Sequence, residues 1–147
     1  MDKNRQPGIS FDDIILKELI FSRKDGFSDK PVMNIKLNST TSFSQNEDRL
    51  IYEMSCEIVD ENGFFDIKCT MLGFFSIIAG KENMNLKEYS ELSAPAAIYP
   101  YIKEVIASTT IKAGIPPVII PPTNLLLLKK KKQKISQINN DTENGEN

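Results

Sequence analysis

The stretch "LIYEMSCEIVDENGFFDIKCTML", residues 50–72, holds two runs of strict alternation on either side of a turn. In the first, Tyr52, Met54, Cys56 and Ile58 fall on one side and Glu53, Ser55 and Glu57 on the other. In the second, Phe65, Ile67, Cys69 and Met71 oppose Asp66, Lys68 and Thr70. A period of two is what a strand shows when one face is buried and the other is wet. Between the runs, "DENG" at residues 60–63 is a hairpin signal, because Asn-Gly suits the left-handed positions of a type I′ turn. Gly63 is therefore expected at positive φ.

Upstream, "VMNIKLNSTTSF" (residues 32–43) alternates in the same way, with Met33, Ile35 and Leu37 against Asn34 and Lys36, and "QNED" at residues 45–48 reads as a turn. Residues 9–22, "ISFDDIILKELIFS", read as a strand, although a short helix fits their pattern almost as well. The four runs together predict an antiparallel meander with one wet face.

Downstream the period changes. "ENMNLKEYSELS" places Leu86, Tyr89 and Leu92 as a short helix or an ordered loop would. Residues 96–113 put Ile98, Ile102, Val105, Ile106 and Thr109 on one stripe, a helix of about five turns. Pro100 is compatible with that helix only in its first turn. Gly114, followed by Pro116 and Pro117, ends it. "IPPVIIPP" (residues 115–122) is held extended by its prolines and reads equally as packing between layers or as walling a channel, and Thr123 or Asn124 can cap a last helix beginning "LLLLKKKK". Apolar or small residues outside the main stripe (Ala97, Tyr101, Ala107, Ile111) give the long helix a second face, as subunit packing requires. The domain reading is a flexible N-terminus at 1–8, one folded domain at 9–138 and a disordered tail at 139–147.

Composition narrows the function. The chain has 147 residues, 40% hydrophobic and 26% charged, with a formal net charge of -2. That is one globular domain with no electrostatic case for nucleic acid, whose phosphates select clustered Lys and Arg. The basic run "KKKKQK" suits the end of a helix dipole. No histidine is present, which removes the usual general base and zinc ligand. Gly73 and Gly80 form no phosphate loop, and no cofactor or catalytic residue is expected. Cys56 and Cys69 match no metal spacing and read as a buried reduced pair. The N-terminus lacks the apolar run of a secretory signal, and no apolar stretch reaches the ~20 residues of a membrane span. The expected location is the cytoplasm, without stable membrane insertion.

The apolar run at residues 72–79 reads equally as the end of a core strand or as the lining of an apolar groove. Alternation sends Phe75 and Ile77 to one face and Phe74, Ser76 and Ile78 to the other. One set would fill the core and the other border a groove.

The order of these features resembles the SecB protein-export chaperone family and its SecB-like relatives. "GFFSIIAG" supplies Gly73, Phe75, Ser76, Ile77, Ala79 and Gly80. "SAPAAIYPYIKEVIASTTIKAGIPPVIIPPTNL" supplies Pro95, Pro100, Tyr101, Glu104, Gly114, Pro117, Pro122 and Asn124. The resemblance covers about residues 9–135. It implies an α+β subunit, a four-stranded antiparallel sheet followed by a long helix and a C-terminal helix, assembling as a dimer of dimers with the long helices at the dimer–dimer interface. It implies binding of unfolded polypeptide in apolar grooves without ATP. Phe74, Phe75, Ile77 and Ile78 would then border the groove, with Ile115, Val118, Ile119 and Ile120 as a rigid wall. Phe27 and Leu125 would complete it. Tyr101, Val105, Ile106 and Ile111 would form the oligomer interface.

Clients would be unfolded preproteins, with the SecA translocase motor as a further partner. The acidic positions of the family's docking face fall here on Glu18, Ser22 and Lys68, so only Glu18 remains acidic. The alternative is a chaperone dedicated to an aggregation-prone antitoxin or to a phage or prophage role. A non-chaperone adaptor is the remote reading.

Overall fold

The computed structural model describes residues 8–26, 32–79, 85–116, 118 and 120. Four strands come first: β1 (Ile9–Arg23), β2 (Met33–Phe43), β3 (Arg49–Asp60) and β4 (Phe65–Ile77); one helix, α1 (Leu86–Lys112), follows. The sheet is antiparallel in the order β1-β4-β3-β2. This corrects the expected meander. The last three strands are hairpin-connected, but β1 closes onto β4, which is Greek-key order.

The alternation of the central strands is realised on their inner face, while Thr70, expected on the wet face, is buried as well. Tyr52, Met54, Cys56 and Ile58 of β3 and Phe65, Ile67, Cys69 and Met71 of β4 are all buried on the face that α1 covers. Residues 60–63 form the hairpin turn, closed by Gly63 N–H donating to the Asp60 carbonyl at 2.8 Å. The buried Asp60 carboxylate accepts from the N–H groups of Asn62 and Phe64, both at 3.2 Å. Gly63 is left-handed (φ +79°) as expected, but Asn62 is not, so the type I′ turn is replaced by a wider four-residue loop.

β1 is a strand throughout. Its pairing with β4 shifts between Phe11 and Asp13 and again between Leu16 and Glu18. Each shift inserts one extra residue, Asp12 and then Lys17, and re-aims the side chains beyond it.

The helix is longer than its sequence suggested. It runs 27 residues, with Pro95 and Pro100 both inside it. It starts at Asn85, whose side chain accepts from Glu88 N–H at 2.8 Å and so satisfies one free N-terminal donor. Each proline removes a helical hydrogen bond at a cost of about 3 kcal/mol in an isolated helix. Burial of the helix opposes that cost: Leu86, Ser90, Ala94, Ile98, Ile102, Ile106 and Thr110 are all buried. These residues recur every fourth position. Four residues turn the helix about 40° beyond a full circle, so the buried line winds around it. At Gly73 the helix meets bare backbone, and a Cβ there would lie 2.6 Å from Ile98 Cδ1.

The C-terminal end is a Schellman motif. Gly114 (φ +72°) donates to the Ile111 carbonyl at 3.0 Å and Ile115 to the Thr110 carbonyl at 3.1 Å. The Arg23 guanidinium donates to the Ala113 carbonyl, tying the end of β1 to the negative end of the helix. Beyond it, Ile115, Val118 and Ile120 are buried in the core cluster. The expected last helix and tail lie outside the described residues.

Candidate functional surface

The helix packs on β3 and β4 and touches β1 only slightly. Large apolar side chains on β1, β2, β3 and α1 are left partly in solvent. On β1, Phe11, Leu16 and Leu19 lie on the helix side, opposite Phe75, Met71 and Cys69. Ile15 and Ile20 lie on the outer side, opposite Leu72 and Lys68. All five are exposed, on a strand that is also an edge of the sheet among the described residues. Sequence reading missed this surface. Its signal was "IILKELIF", whose apolar residues obey no single alternation.

The apolar end of β4 divides as its alternation requires. Phe75 is 1% exposed, with its ring 4.7 Å from that of Phe11 and 5.3 Å from that of Tyr89. Phe74 points to the outer face, half-buried between Asp13 of β1 and Ile51 of β3. Ile77 is half-buried against the core, whereas Ile78 is exposed. An apolar diagonal of Ile15, Leu72, Phe74 and Ile51 crosses the outer face.

Several expected surface residues are core in this chain. Phe75, Ile115, Val118 and Ile120 are buried, so they pack the interior instead of walling an open groove. Ile106 is likewise fully buried, because the winding line of burial passes through it and leaves the opposite side out. Of the expected interface residues, Tyr101 and Ile111 are exposed and Val105 is half-buried. Tyr101 meets Phe11 edge-on at 6.2 Å, which joins the free side of the helix to the apolar surface of β1. Phe27, Ile119 and Leu125 lie outside the described residues.

The outer face carries two ion pairs, Lys17 with Glu53 at 2.6 Å and Lys68 with Glu18 at 3.3 Å. The first straddles β4, since Lys17 stands on β1 and Glu53 on β3. The Glu53 carboxylate, by hydrogen bond and charge, raises the Lys17 pKa above its ordinary value. Glu18, expected from the sequence as the remaining acidic docking position, has a lysine partner, and exposed pairs of this kind contribute little to stability.

On the inner face, Cys56 and Cys69 sit directly opposite each other as free thiols with no exposed surface. Burial pushes the Cys56 thiol up to about 12 and the Cys69 thiol up to about 11. Thiols so protonated are poor nucleophiles. Among the described residues, no helix is long and apolar enough to cross a membrane.

An antiparallel sheet backed by a single long helix, with apolar side chains open on its first strand and on the free side of that helix, is an α+β class of chain. This chain belongs to the SecB family: the family model for preprotein translocase subunit SecB matches residues 2–135. Protein-export protein SecB of Anaplasma marginale (strain Florida) is 30% identical over 74 residues, or 47% of this chain. The match spans 42% of that relative's length. Uncharacterized protein MJ0357 of Methanocaldococcus jannaschii is 23% identical over 118 residues, 76% of each chain. Among solved structures, the Mycobacterium tuberculosis Rv1957 SecB-like chaperone, in complex with a ChAD peptide from the Rv1956 HigA1 antitoxin, shares the fold. Its TM-score is 0.67 at 14% identity, covering 79% of this chain and 90% of that one.

Proposed function

We propose that this protein is an ATP-independent holdase that binds unfolded polypeptide in the cytoplasm and works as a homotetramer, a dimer of dimers. The observation that carries this reading is the exposure of five large apolar residues along β1, an edge strand among the described residues that α1 leaves largely uncovered. Three of the five share the helix side, where Phe11 adjoins Tyr101, and two the outer side; exposed apolar surface of this kind marks interaction sites. Edge-strand backbone with shallow apolar contacts also tolerates many sequences. Tyr101 and Ile111 on the free side of α1 supply the helix–helix half of the assembly.

Unfolded preproteins are the primary client class, in protein export. An aggregation-prone antitoxin is the second reading, favoured by two observations. One is the shared fold with a chaperone solved on an antitoxin peptide. The other is the pairing with Lys68 of Glu18, the one residue still acidic among the three expected docking positions. Light scattering at micromolar concentration is expected to give a tetramer in equilibrium with dimers. Substoichiometric to equimolar protein should suppress aggregation of a chemically denatured client with no nucleotide present. A strict monomer that leaves aggregation unchanged would reject the proposal.

A further inference from the structure

Cys56 of β3 and Cys69 of β4 are direct register partners in adjacent antiparallel strands. Both are free thiols, and both are 0% exposed. Opposed residues of such a pair hold their Cα atoms about 4.5–5.5 Å apart. A disulfide spans Cα separations of about 4.4–6.8 Å, so the register itself brings the two cysteines within reach of one bond. The Cys69 thiol also acts electrostatically on that of Cys56, as a close neighbour does. Only the hairpin turn at residues 60–63 separates the two runs in sequence, and local contacts of this kind form early.

We propose that Cys56 and Cys69 form a disulfide site, oxidised by a low-molecular-weight disulfide such as oxidised glutathione while the chain is unfolded, and shielded once the fold has closed. One cysteine thiolate attacks the glutathione disulfide, forming a mixed disulfide and releasing one glutathione thiolate. The facing thiolate then attacks the protein sulfur of that mixed disulfide and releases the second. The protein loses two hydrogens and is oxidised; glutathione disulfide is reduced to two thiols, which take up the protons that the cysteines gave away. The folded chain resists both steps. Neither sulfur has surface, and burial pushes the thiols up to about 12 and about 11, leaving little of the thiolate that attacks. The same burial keeps a reductant from the finished bond. The cross-link closes the loop of residues 56–69 and stabilises the sheet, chiefly by restricting the unfolded chain. In reducing surroundings the pair stays open, so its state records where the chain folded.

Refolding of the full chain from urea into a glutathione buffer rich in the oxidised form tests this. Mass spectrometry should find single chains lighter by two hydrogen atoms, and the refolded product should have a higher urea midpoint than the reduced protein. Folded reduced protein in the same buffer should lose its thiols at least about tenfold more slowly than the chain in urea does. Dithiothreitol should open the bond in urea and leave it intact in the folded protein. Cys56→Ala and Cys69→Ala single variants, oxidised in urea so that their folding does not enter, should give glutathione adducts and no internal bond. Refolded protein that keeps both thiols free, or chains joined to one another instead, overturns the site. So does an oxidised chain that fails to refold or has no higher midpoint than the reduced one. Folded protein oxidised as fast as unfolded, or reduced as easily, overturns the shielding.

Discussion

Ile98 of α1 rests against the bare backbone of Gly73 in β4. A Cβ on Gly73 would come within 2.6 Å of Ile98 Cδ1 and 3.0 Å of both Ile98 Cγ1 and Phe75 Cε2. Ile98 is fully buried, so its side chain has little room to yield. The distance between helix and sheet is thus set by an absent methyl group.

Gly73→Ala is accordingly expected to lose about 1–3 kcal/mol, the usual cost of overpacking a core. Combining it with Ile98→Val should recover part of that loss, since two residues in contact are not additive. Urea midpoints of the two single variants and the double variant measure the coupling. Additive losses would place the clash elsewhere.

Phe74 and Phe75 are neighbours in sequence with opposite environments. Phe75→Ala should cost about 3–5 kcal/mol, as removal of a buried aromatic does. Phe74→Ala should cost less, on the order of 1–2 kcal/mol, and should weaken binding of an unfolded probe if the outer diagonal contributes to it. Paired thermal melts and aggregation-suppression assays compare the two. Equal destabilisation with unaltered binding would return both to ordinary packing.

Gly63 has φ +79° and open space where a Cβ would stand. The penalty for a side chain there is one of backbone conformation alone. Gly63→Val should lose about 1 kcal/mol or more, while Gly63→Asn should lose less because Asn enters the left-handed region readily. Denaturation midpoints that rank the two equally would contradict this account of the turn.

The facing thiols predict a pH dependence. Their ordinary value of 9.0 rises to about 12 for Cys56 and about 11 for Cys69 on folding. Below pH 9 both states hold the protons and full stability is present. Above it the unfolded chain ionises first, and stability falls until the folded values are passed, by up to about 1.4 kcal/mol per pH unit for each thiol. Burial raises Tyr52 and Tyr89 in the same sense. Urea midpoints from pH 8 to pH 10.5 should decline, and less steeply in a Cys56→Ala, Cys69→Ala variant.

Legibility in the sequence followed half-burial. β3 and β4 each have one wet face, so their inward residues could be read directly, and the same alternation separated Phe74 from Phe75. β1 resisted because Asp12 and Lys17 break its register, leaving apolar residues on both faces. Nothing local encodes its choice of β4 as neighbour. The helix start was written in Asn85 and Glu88, a cap with an acid three residues on, but Pro100, compatible with a helix only in its first turn, moved the expected start to residue 96. Packing against the sheet outweighed that restriction. The burial of Ile115, Val118 and Ile120 was hidden for a related reason: composition shows that a stretch is apolar and extended, not which surface it meets.

The strand order has a consequence for synthesis. β1 is made first, yet its partner strand begins only at Phe65, opposite Arg23, so β1 stays unpartnered until β4 starts to leave the ribosome, and Ile9 waits longest, for Ile77. Closing so distant a contact is slow compared with the hairpins of β2, β3 and β4. During that interval the nascent chain carries Phe11, Ile15, Leu16, Leu19 and Ile20 unpaired and wet, in need of the same protection that the finished protein is proposed to give to others.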